Sequence, residues 1–149
     1  MNSNEKKVTF YIPGEPFGKQ RPKFSRAGGF VRSYTQKETV SYENLVKTEY
    51  AWQCGEARFQ DDAEVLAVIN AFFSIPKSVS KKTRADMLAG RVRPTKRPDC
   101  DNIAKVILDG LNGIAYRDDA QVVSAAVSKH YGETPRVEVT LYRLGEEET

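Results

Sequence analysis

The sequence contains few of the residues that build disulfides or soft metal sites, with two cysteines and one histidine among 149 residues. It also lacks a secretory signal and any apolar run of membrane-spanning length. These absences predict a cytoplasmic chain with free thiols at Cys54 and Cys100 and no membrane partner. Because Cys100 has no CxxC partner, we interpret it as a packing residue and not as a zinc ligand.

Acidic residues are scarce in two segments that are rich in lysine and arginine. Residues 13–37 hold six basic residues against Glu15, and residues 77–97 hold eight against Asp86. The net charge of the chain is only +3, so the positive charge is segregated. Such segregation predicts a face that binds a polyanion. The residues expected to contact nucleic acid are Lys19, Arg21, Lys23, Arg26, Arg32, Lys81, Lys82, Arg93, Lys96 and Arg97.

Aromatic residues are interleaved with the basic residues of the first segment, from Phe17 to Tyr34. The stretch has no clear period and predicts a loop or a short hairpin around Gly28-Gly29. Its cations can hold phosphates while the rings stack on exposed bases, or the rings can pin a solvated loop to the core. Tyr50 and Trp52, which follow on a predicted helix, are interpreted instead as core or dimer contacts.

The spacing of apolar residues predicts one α/β (α+β) domain over residues 1–149, with a mixed sheet packed against helices. The strand at 64–75 is apolar on both faces and is therefore expected at the centre of the sheet. Residues 121–130 and 136–144 are predicted to form a β-hairpin. The other predicted elements are a strand at 7–12 and helices at about 36–59, 81–89 and 102–112.

Two pairs of aspartates flank the last predicted helix, with Asp99 and Asp101 before it and Asp118 and Asp119 after it. The chain after the helix is long enough to turn and return alongside, so Asp119 can lie beside Asp99 and Asp101. Carboxylates that converge without cysteine or histidine suit Mg²⁺, or alternatively Mn²⁺, and not Zn²⁺. Such a cation activates water and neutralises charge on a phosphate, with Asp118 as an outer or alternate ligand.

Each acidic feature also has a purely structural explanation. Aspartate is a favoured N-cap, paired aspartates are common in turns, and Asp101, Lys105 and Asp109 form an ordinary solvated ladder. The combined spacing favours a site, in which Lys105 orients the attacking water or stabilises the developing charge. The single histidine, His130, is a poor candidate for the general base, since an extended strand can place it roughly 30 Å or more from Asp119.

The stretch PDCDNIAKVILDGLNGIAYRDDAQV resembles the signature of the RusA family of Holliday junction resolvases, endonucleases often found in phages and prophages. The N-terminal stretch PGEPFGKQRPKFSRAGGFVRSYT also resembles the opening of many phage members. This resemblance implies a RusA-like fold and Mg²⁺-dependent cleavage of branched DNA by a homodimer, which leaves 5′-phosphate and 3′-hydroxyl ends. It implies Asp99, Asp101 and Asp119 as the essential carboxylates and Lys105 as the essential lysine. The matching positions are Asp99, Asp101, Asn102, Lys105, Asp109, Leu111, Tyr116, Asp118, Asp119, Gln121 and Val122.

Two other functions use the same residues. A metal-dependent hydrolase of free nucleotides needs the carboxylates but has little use for two long basic segments. A non-enzymatic protein that binds branched DNA needs the basic segments, and its aspartates only cap and turn. The preferred prediction is a Mg²⁺-dependent, structure-selective endonuclease that resolves Holliday junctions in DNA recombination and repair.

Overall fold

Strands and helices follow one another along the chain in the order β-β-β-α-β-α-α-β-β. The computed structural model describes residues 5–34 and 36–145, and of residues 27, 30 and 32–34 it describes the backbone alone. No helix in this part of the chain is both long and apolar enough to pass through a bilayer. The elements are β1 (Lys7–Pro13), β2 (Lys23–Ala27), β3 (Phe30–Tyr34), α1 (Lys37–Cys54), β4 (Glu64–Ser74), α2 (Lys81–Leu88), α3 (Cys100–Gly110), β5 (Val122–Gly132) and β6 (Arg136–Leu144).

Four strands form one mixed sheet in the order β1-β6-β4-β5. β6 pairs antiparallel with both β1 and β4, and β5 pairs parallel with β4. Alternate residues of β4, from Val65 to Phe73, are buried on one face, and those of the other face are mostly half-buried. The prediction that this strand is central is therefore confirmed, and the packed helices make the fold α+β.

β5 and β6 do not form the predicted hairpin, because β4 lies between them. Second-neighbour strands of a sheet are roughly 10 Å apart. The four chain steps from Gly132 to Arg136 can span about 13 Å, so this short connection can cross over the end of β4. The length of the connection therefore allowed both arrangements. With β5 on one side and β6 on the other, the backbone hydrogen-bonding groups along both edges of β4 are paired.

The apolar stripe of α3 packs against the sheet and α1, as the sequence predicts. Ile103, Val106 and Ile107 are fully buried. The helix begins at Cys100, two residues before its predicted start, and this puts Asp101 in the first turn. Asp99 becomes the N-cap residue, so both of these aspartates lie at the positive end of the helix dipole.

The aromatic residues of α1 have different environments. Tyr50 is buried, and its hydroxyl donates a 2.6 Å hydrogen bond to the Ala57 carbonyl, which confirms it as a core residue. Trp52 is 77% exposed, so its prediction as a core residue was wrong. It lies on the solvent side of the helix, and its role as a dimer contact stays a prediction. The helix itself ends at Cys54, five residues early, where Gly55 adopts a φ of 63°.

Candidate functional site

A groove of about 780 Å³ lies between the N-terminal basic segment and the start of α3. Arg21, Arg97 and Asp99 line it, so two cations border the same groove as one of the predicted carboxylates. Cations in this position offset the repulsion between an acidic side chain and an incoming phosphate. The remaining lining residues are Pro16, Phe17, Gly18, Lys19, Gln20, Gln36, Pro98 and Asn102.

The basic segment reaches the groove through a close approach to the start of α3. The Lys19 N–H donates a 2.9 Å hydrogen bond to the Asn102 carbonyl. A Cβ on Gly18 would lie 2.7 Å from Pro98 Cβ and 3.2 Å from Asn102 Cβ. Only glycine allows this backbone to come so near, and no local sequence pattern indicated the contact.

The aromatic residues of the basic segment divide between the two roles that the sequence left open. Phe17 pins the chain to α1, because its ring stacks on Tyr42 with the ring centroids 5.1 Å apart. Phe24 is 70% exposed and free for a ligand. The side chains of Phe30 and Tyr34 lie outside the described residues, as does that of Arg32, one of the predicted nucleic-acid contacts.

Asp99 and Asp101 present exposed carboxylates at the N-terminus of α3. Although Asp99 is the N-cap residue, its side chain makes no capping hydrogen bond. Neither carboxylate has a hydrogen-bond or salt-bridge partner among the described residues, which leaves both available to a ligand. Their donor chemistry, oxygen alone, fits a hard divalent cation.

Asp118 and Asp119 begin a single 3₁₀ turn that leads into β5. The Asp118 carboxylate accepts a 3.0 Å hydrogen bond from the Ala120 N–H, and the Asp118 N–H donates to Gln121 Oε1 at 3.2 Å. This capping box gives Asp118 the structural role of an N-cap. Asp119 is half-buried, and its backbone N–H donates a 2.7 Å hydrogen bond to Asn112 Oδ1.

The two acidic clusters lie at opposite ends of α3. The Cys100 thiol is 3.8 Å from the Val127 carbonyl, so the helix starts beside the middle of β5, whereas Asp119 lies beside the other end of the helix. An eleven-residue helix separates its two ends by about 15 Å. Within residues 5–34 and 36–145, no three Asp, Glu, His or Cys side chains are placed to hold a metal ion. The expected return of Asp119 to Asp99 and Asp101 is therefore not found within one protomer.

Asp119 stays near the end of α3 because the chain between them folds into a tight turn. The Gly113 N–H donates a 2.9 Å hydrogen bond to the Tyr116 carbonyl. The buried Tyr116 hydroxyl donates a 2.6 Å hydrogen bond to the Leu108 carbonyl. Burial raises the pKa of Tyr116 far above its usual value, and the nearby Asp119 and Asp109 carboxylates raise it further, so this donor stays protonated.

The lysines expected to act near the site share one acidic partner. The Asp109 carboxylate forms salt bridges with Lys105 Nζ at 3.2 Å and with Lys19 Nζ at 3.4 Å. Lys19 also lies 2.9 Å from Glu43, and is therefore half-buried in an ion-pair cluster instead of open to solvent. Burial alone lowers the pKa of Lys19, but Glu43 and Asp109 outweigh it, and the net pKa is raised. The i, i+4 spacing indicated the Lys105 contact, whereas nothing in the sequence indicated Glu43.

The other predicted cations are exposed but are spread over a larger surface. Lys81 and Lys82 lie on the first turn of α2 and do not line the groove. Lys96 lies near the sheet, where its carbonyl accepts a hydrogen bond from Lys129. His130 Nε2 forms a 2.9 Å hydrogen bond with Asn70 Oδ1. Burial lowers the pKa of His130, and the nearby Arg93 lowers it further.

Two comparisons with known proteins cover nearly the whole chain. The sequence model of the family described as Endodeoxyribonuclease RusA matches residues 13–142, which include the groove and both acidic clusters. The chain is also 35% identical over 136 residues to a protein of Bacillus subtilis (strain 168) named uncharacterized protein YqaN. That alignment covers 90% of this chain and 94% of the relative.

Proposed function

Because the chain belongs to the RusA family of endodeoxyribonucleases, we propose that it resolves Holliday junctions by Mg²⁺-dependent hydrolysis of phosphodiester bonds. The observation that carries this proposal is the groove that Arg21, Arg97 and Asp99 line together. The cations attract the DNA backbone, and the Asp99 carboxylate would bind the metal ion. The activity belongs to DNA recombination and repair in the cytoplasm, where free thiols such as Cys54 and Cys100 are ordinary.

The carboxylates of Asp99, Asp101 and Asp119 would hold the cation, with Asp118 as an outer ligand and Mn²⁺ as an alternative metal. When bound, such a cation lowers the pKa of water and neutralises charge on the scissile phosphate. Lys105 projects from the exposed side of α3 one turn after Asp101, where it stabilises negative charge as it develops on the phosphate. Water adds across the bond from phosphorus to the 3′-oxygen, which gives a 5′-phosphate and a 3′-hydroxyl.

The separation of the acids along α3 supports a homodimer. One protomer has Asp99 and Asp101 at one end of α3 and Asp119 beside the other end, and the helix between them is about 15 Å long. In a second copy related by two-fold symmetry, α3 runs in the opposite direction. The N-terminal end of α3 in each protomer then lies beside the C-terminal end of α3 in the other. Two equivalent sites then arise, each made of Asp99 and Asp101 from one protomer and Asp119 from the other. Two such sites match the two equivalent strands of a four-way junction.

The outer edge of β5 is the surface that suits this pairing. β5 is an edge strand of the sheet, and residues 123–126 are all exposed, with Val123 at 56%. An exposed edge with short side chains is a template for another strand. Antiparallel pairing centred on 123–126 sets Val127 opposite Val122 of the partner subunit. Since Cys100 lies beside Val127, Asp119 of the partner subunit then approaches Asp99.

One experiment separates this function from nucleotide hydrolysis and from non-enzymatic binding. Cleavage of a synthetic four-way junction is measured with and without Mg²⁺, beside a linear duplex and nucleoside triphosphates. We expect metal-dependent cutting of the junction alone. Asp119→Asn is expected to abolish cutting and retain binding, whereas Asp86→Asn on α2, a matched control, cuts normally. Nicking by Asp119→Asn at the wild-type rate, or faster hydrolysis of the triphosphates, overturns the proposal.

A further inference from the structure

The hairpin of β2 and β3 projects from the rest of the chain. Gly28 and Gly29 form its two-residue turn with φ values of 61° and 83°, the positive values that a type I′ turn requires. The two strands contact each other and make only marginal contacts with any other helix or strand. The described side chains of the hairpin are all exposed, so none of them serves the core.

Two apolar side chains of this hairpin form a small patch in solvent. Phe24 is 70% exposed and Val31 is 58% exposed. Val31 pairs with Arg26 across the hairpin, and Phe24 is two residues from Arg26 on the same strand. All three residues therefore share one face, on which Phe24 and Val31 are diagonal neighbours. The face combines a flat ring, an aliphatic support and a cation.

The segment that carries this patch has charged residues of one sign only. No acidic residue occurs between Glu15 and Glu38. Lys23 and Arg26 are exposed and form no ion pair with any described side chain. An apolar ring flanked by unpaired cations complements a ligand that carries flat rings on an anionic backbone. Among biological polymers that description fits a nucleic acid, and a protein partner would have to be acidic and aromatic at once.

The root of the hairpin is fixed at the groove that holds Asp99. Gln36 Nε2 donates a 2.9 Å hydrogen bond to the Arg21 carbonyl, and the Gln20 N–H donates to Thr39 Oγ1 at 3.3 Å. Arg21 itself lines the groove. Arg21 and Phe24 are three chain steps apart, which an extended chain can span over about 10 Å. This distance is roughly three nucleotide steps of a duplex strand.

We propose that Phe24 stacks on a nucleobase that is unpaired at the branch point, while Lys23 and Arg26 contact the adjacent phosphates. This inference rests on the proposed function, since it needs branched DNA in the groove. Bases inside a duplex are stacked on both sides and offer no face to a protein ring, whereas a base at a strand exchange point can leave the stack. Phe24 is thus a specificity residue that distinguishes junction from duplex, and it takes no part in bond cleavage.

The test compares affinities for a four-way junction and for a linear duplex of the same sequence, in Mg²⁺-free buffer. Phe24→Ala should weaken junction binding on the order of tenfold and leave duplex binding unchanged. Tyr11→Ala, which removes an exposed ring from β1, is the matched control and should change neither affinity. Because the Phe24 ring is exposed, thermal unfolding of Phe24→Ala should match that of the wild type.

A second variant reports stacking directly. Phe24→Trp should keep the junction preference, and its emission should be quenched by the junction but not by the duplex, with the wild-type Trp52 signal as background. Equal loss of both affinities in Phe24→Ala, or no loss at all, overturns the stacking role. Junction cleavage by the wild-type protein is measured in parallel. If the wild type cuts junctions and Phe24→Ala binds them normally, this inference fails and the nuclease function stands.

Discussion

The backbone N–H of Asp119 donates a 2.7 Å hydrogen bond to Asn112 Oδ1. This bond holds the acid beside the C-terminal end of α3, whereas Asp99 is the N-cap residue at the other end of the same helix. The sequence shows that the chain from α3 to Asp119 is long enough to reach Asp99, but in the structure it stays beside the C-terminal end of α3. If the three acids act on one cation, two protomers must supply them.

The shared-site arrangement predicts that two inactive variants restore each other. Asp99→Asn and Asp119→Asn are each expected to be inactive as homodimers, because either change removes a ligand from both sites. In a heterodimer of the two, both changes fall in one site and the other site keeps all its carboxylates. After subunit exchange, an equimolar mixture should therefore nick a junction at roughly a quarter of the wild-type rate.

The control for this mixing experiment is a pair of variants from the same cluster. Asp99→Asn and Asp101→Asn occur together at one end of α3, so their heterodimer has one change in each site and should stay inactive. Nicking rates are measured on a labelled four-way junction with Mg²⁺ present. Failure of the first mixture to recover any activity, despite proven subunit exchange, would mean that each protomer builds its own site.

Charge at the exposed edge of β5 should prevent the proposed dimer from forming. Ala125→Lys sets like charges close to each other across the two-fold axis, and like charges on facing strands are destabilising. Sedimentation is expected to show monomers, and junction cleavage should fall in parallel. Ala51→Lys, an identical change on the exposed side of α1, should leave both properties intact. A dimeric and active Ala125→Lys protein would exclude this edge as the interface.

Substitution of Gly18 should widen the groove and weaken its binding of DNA. A Cβ at 2.7 Å from Pro98 cannot be accommodated without a shift of the backbone, and overpacking of this kind costs about 1–3 kcal/mol of stability. We expect Gly18→Ala to lower the melting temperature modestly and to weaken junction binding more than the stability loss explains, since Arg21 moves away from Asp99. Calorimetry and a binding titration measure the two effects. Unchanged junction affinity would show that the groove does not hold DNA.

Local patterns in the sequence predicted local structure well. The buried stripe of α3 was predicted from its period, because helix periodicity depends on neighbours within two turns. The β2-β3 hairpin was one of two forms predicted around Gly28-Gly29, and it is found. β4 was placed at the sheet centre because both of its faces are apolar.

Contacts between distant segments were not predictable in the same way. β5 pairs with β4 and not with β6. This depends on which strands hydrogen-bond to the edges of β4, and no local pattern encodes that choice. The position of Asp119 depends on a tight turn that Gly113 and Tyr116 close, whereas the sequence gives only the maximum reach. Lys19 was assigned to DNA from its charge, but its partner Glu43 is 24 residues away in sequence.

The ion-pair cluster of Lys19 should make stability depend on alkaline pH. The pKa of Lys19 is raised above its ordinary value of 10.5 in the folded protein, chiefly because Glu43 and Asp109 outweigh the effect of burial. A raised lysine pKa stabilises the folded state fully below the unfolded pKa, and this contribution is lost as pH rises through the folded pKa. Lys19→Met should therefore unfold at lower urea concentration than the wild type near neutral pH, and the difference should shrink above pH 10.5.

Lys47→Met on α1 is the control, since no acid pairs with that lysine among the described residues, and its difference from wild type should not vary with pH. A Lys19→Met difference that stays constant over the same alkaline range would mean that lost packing, and not lost charge, accounts for the effect.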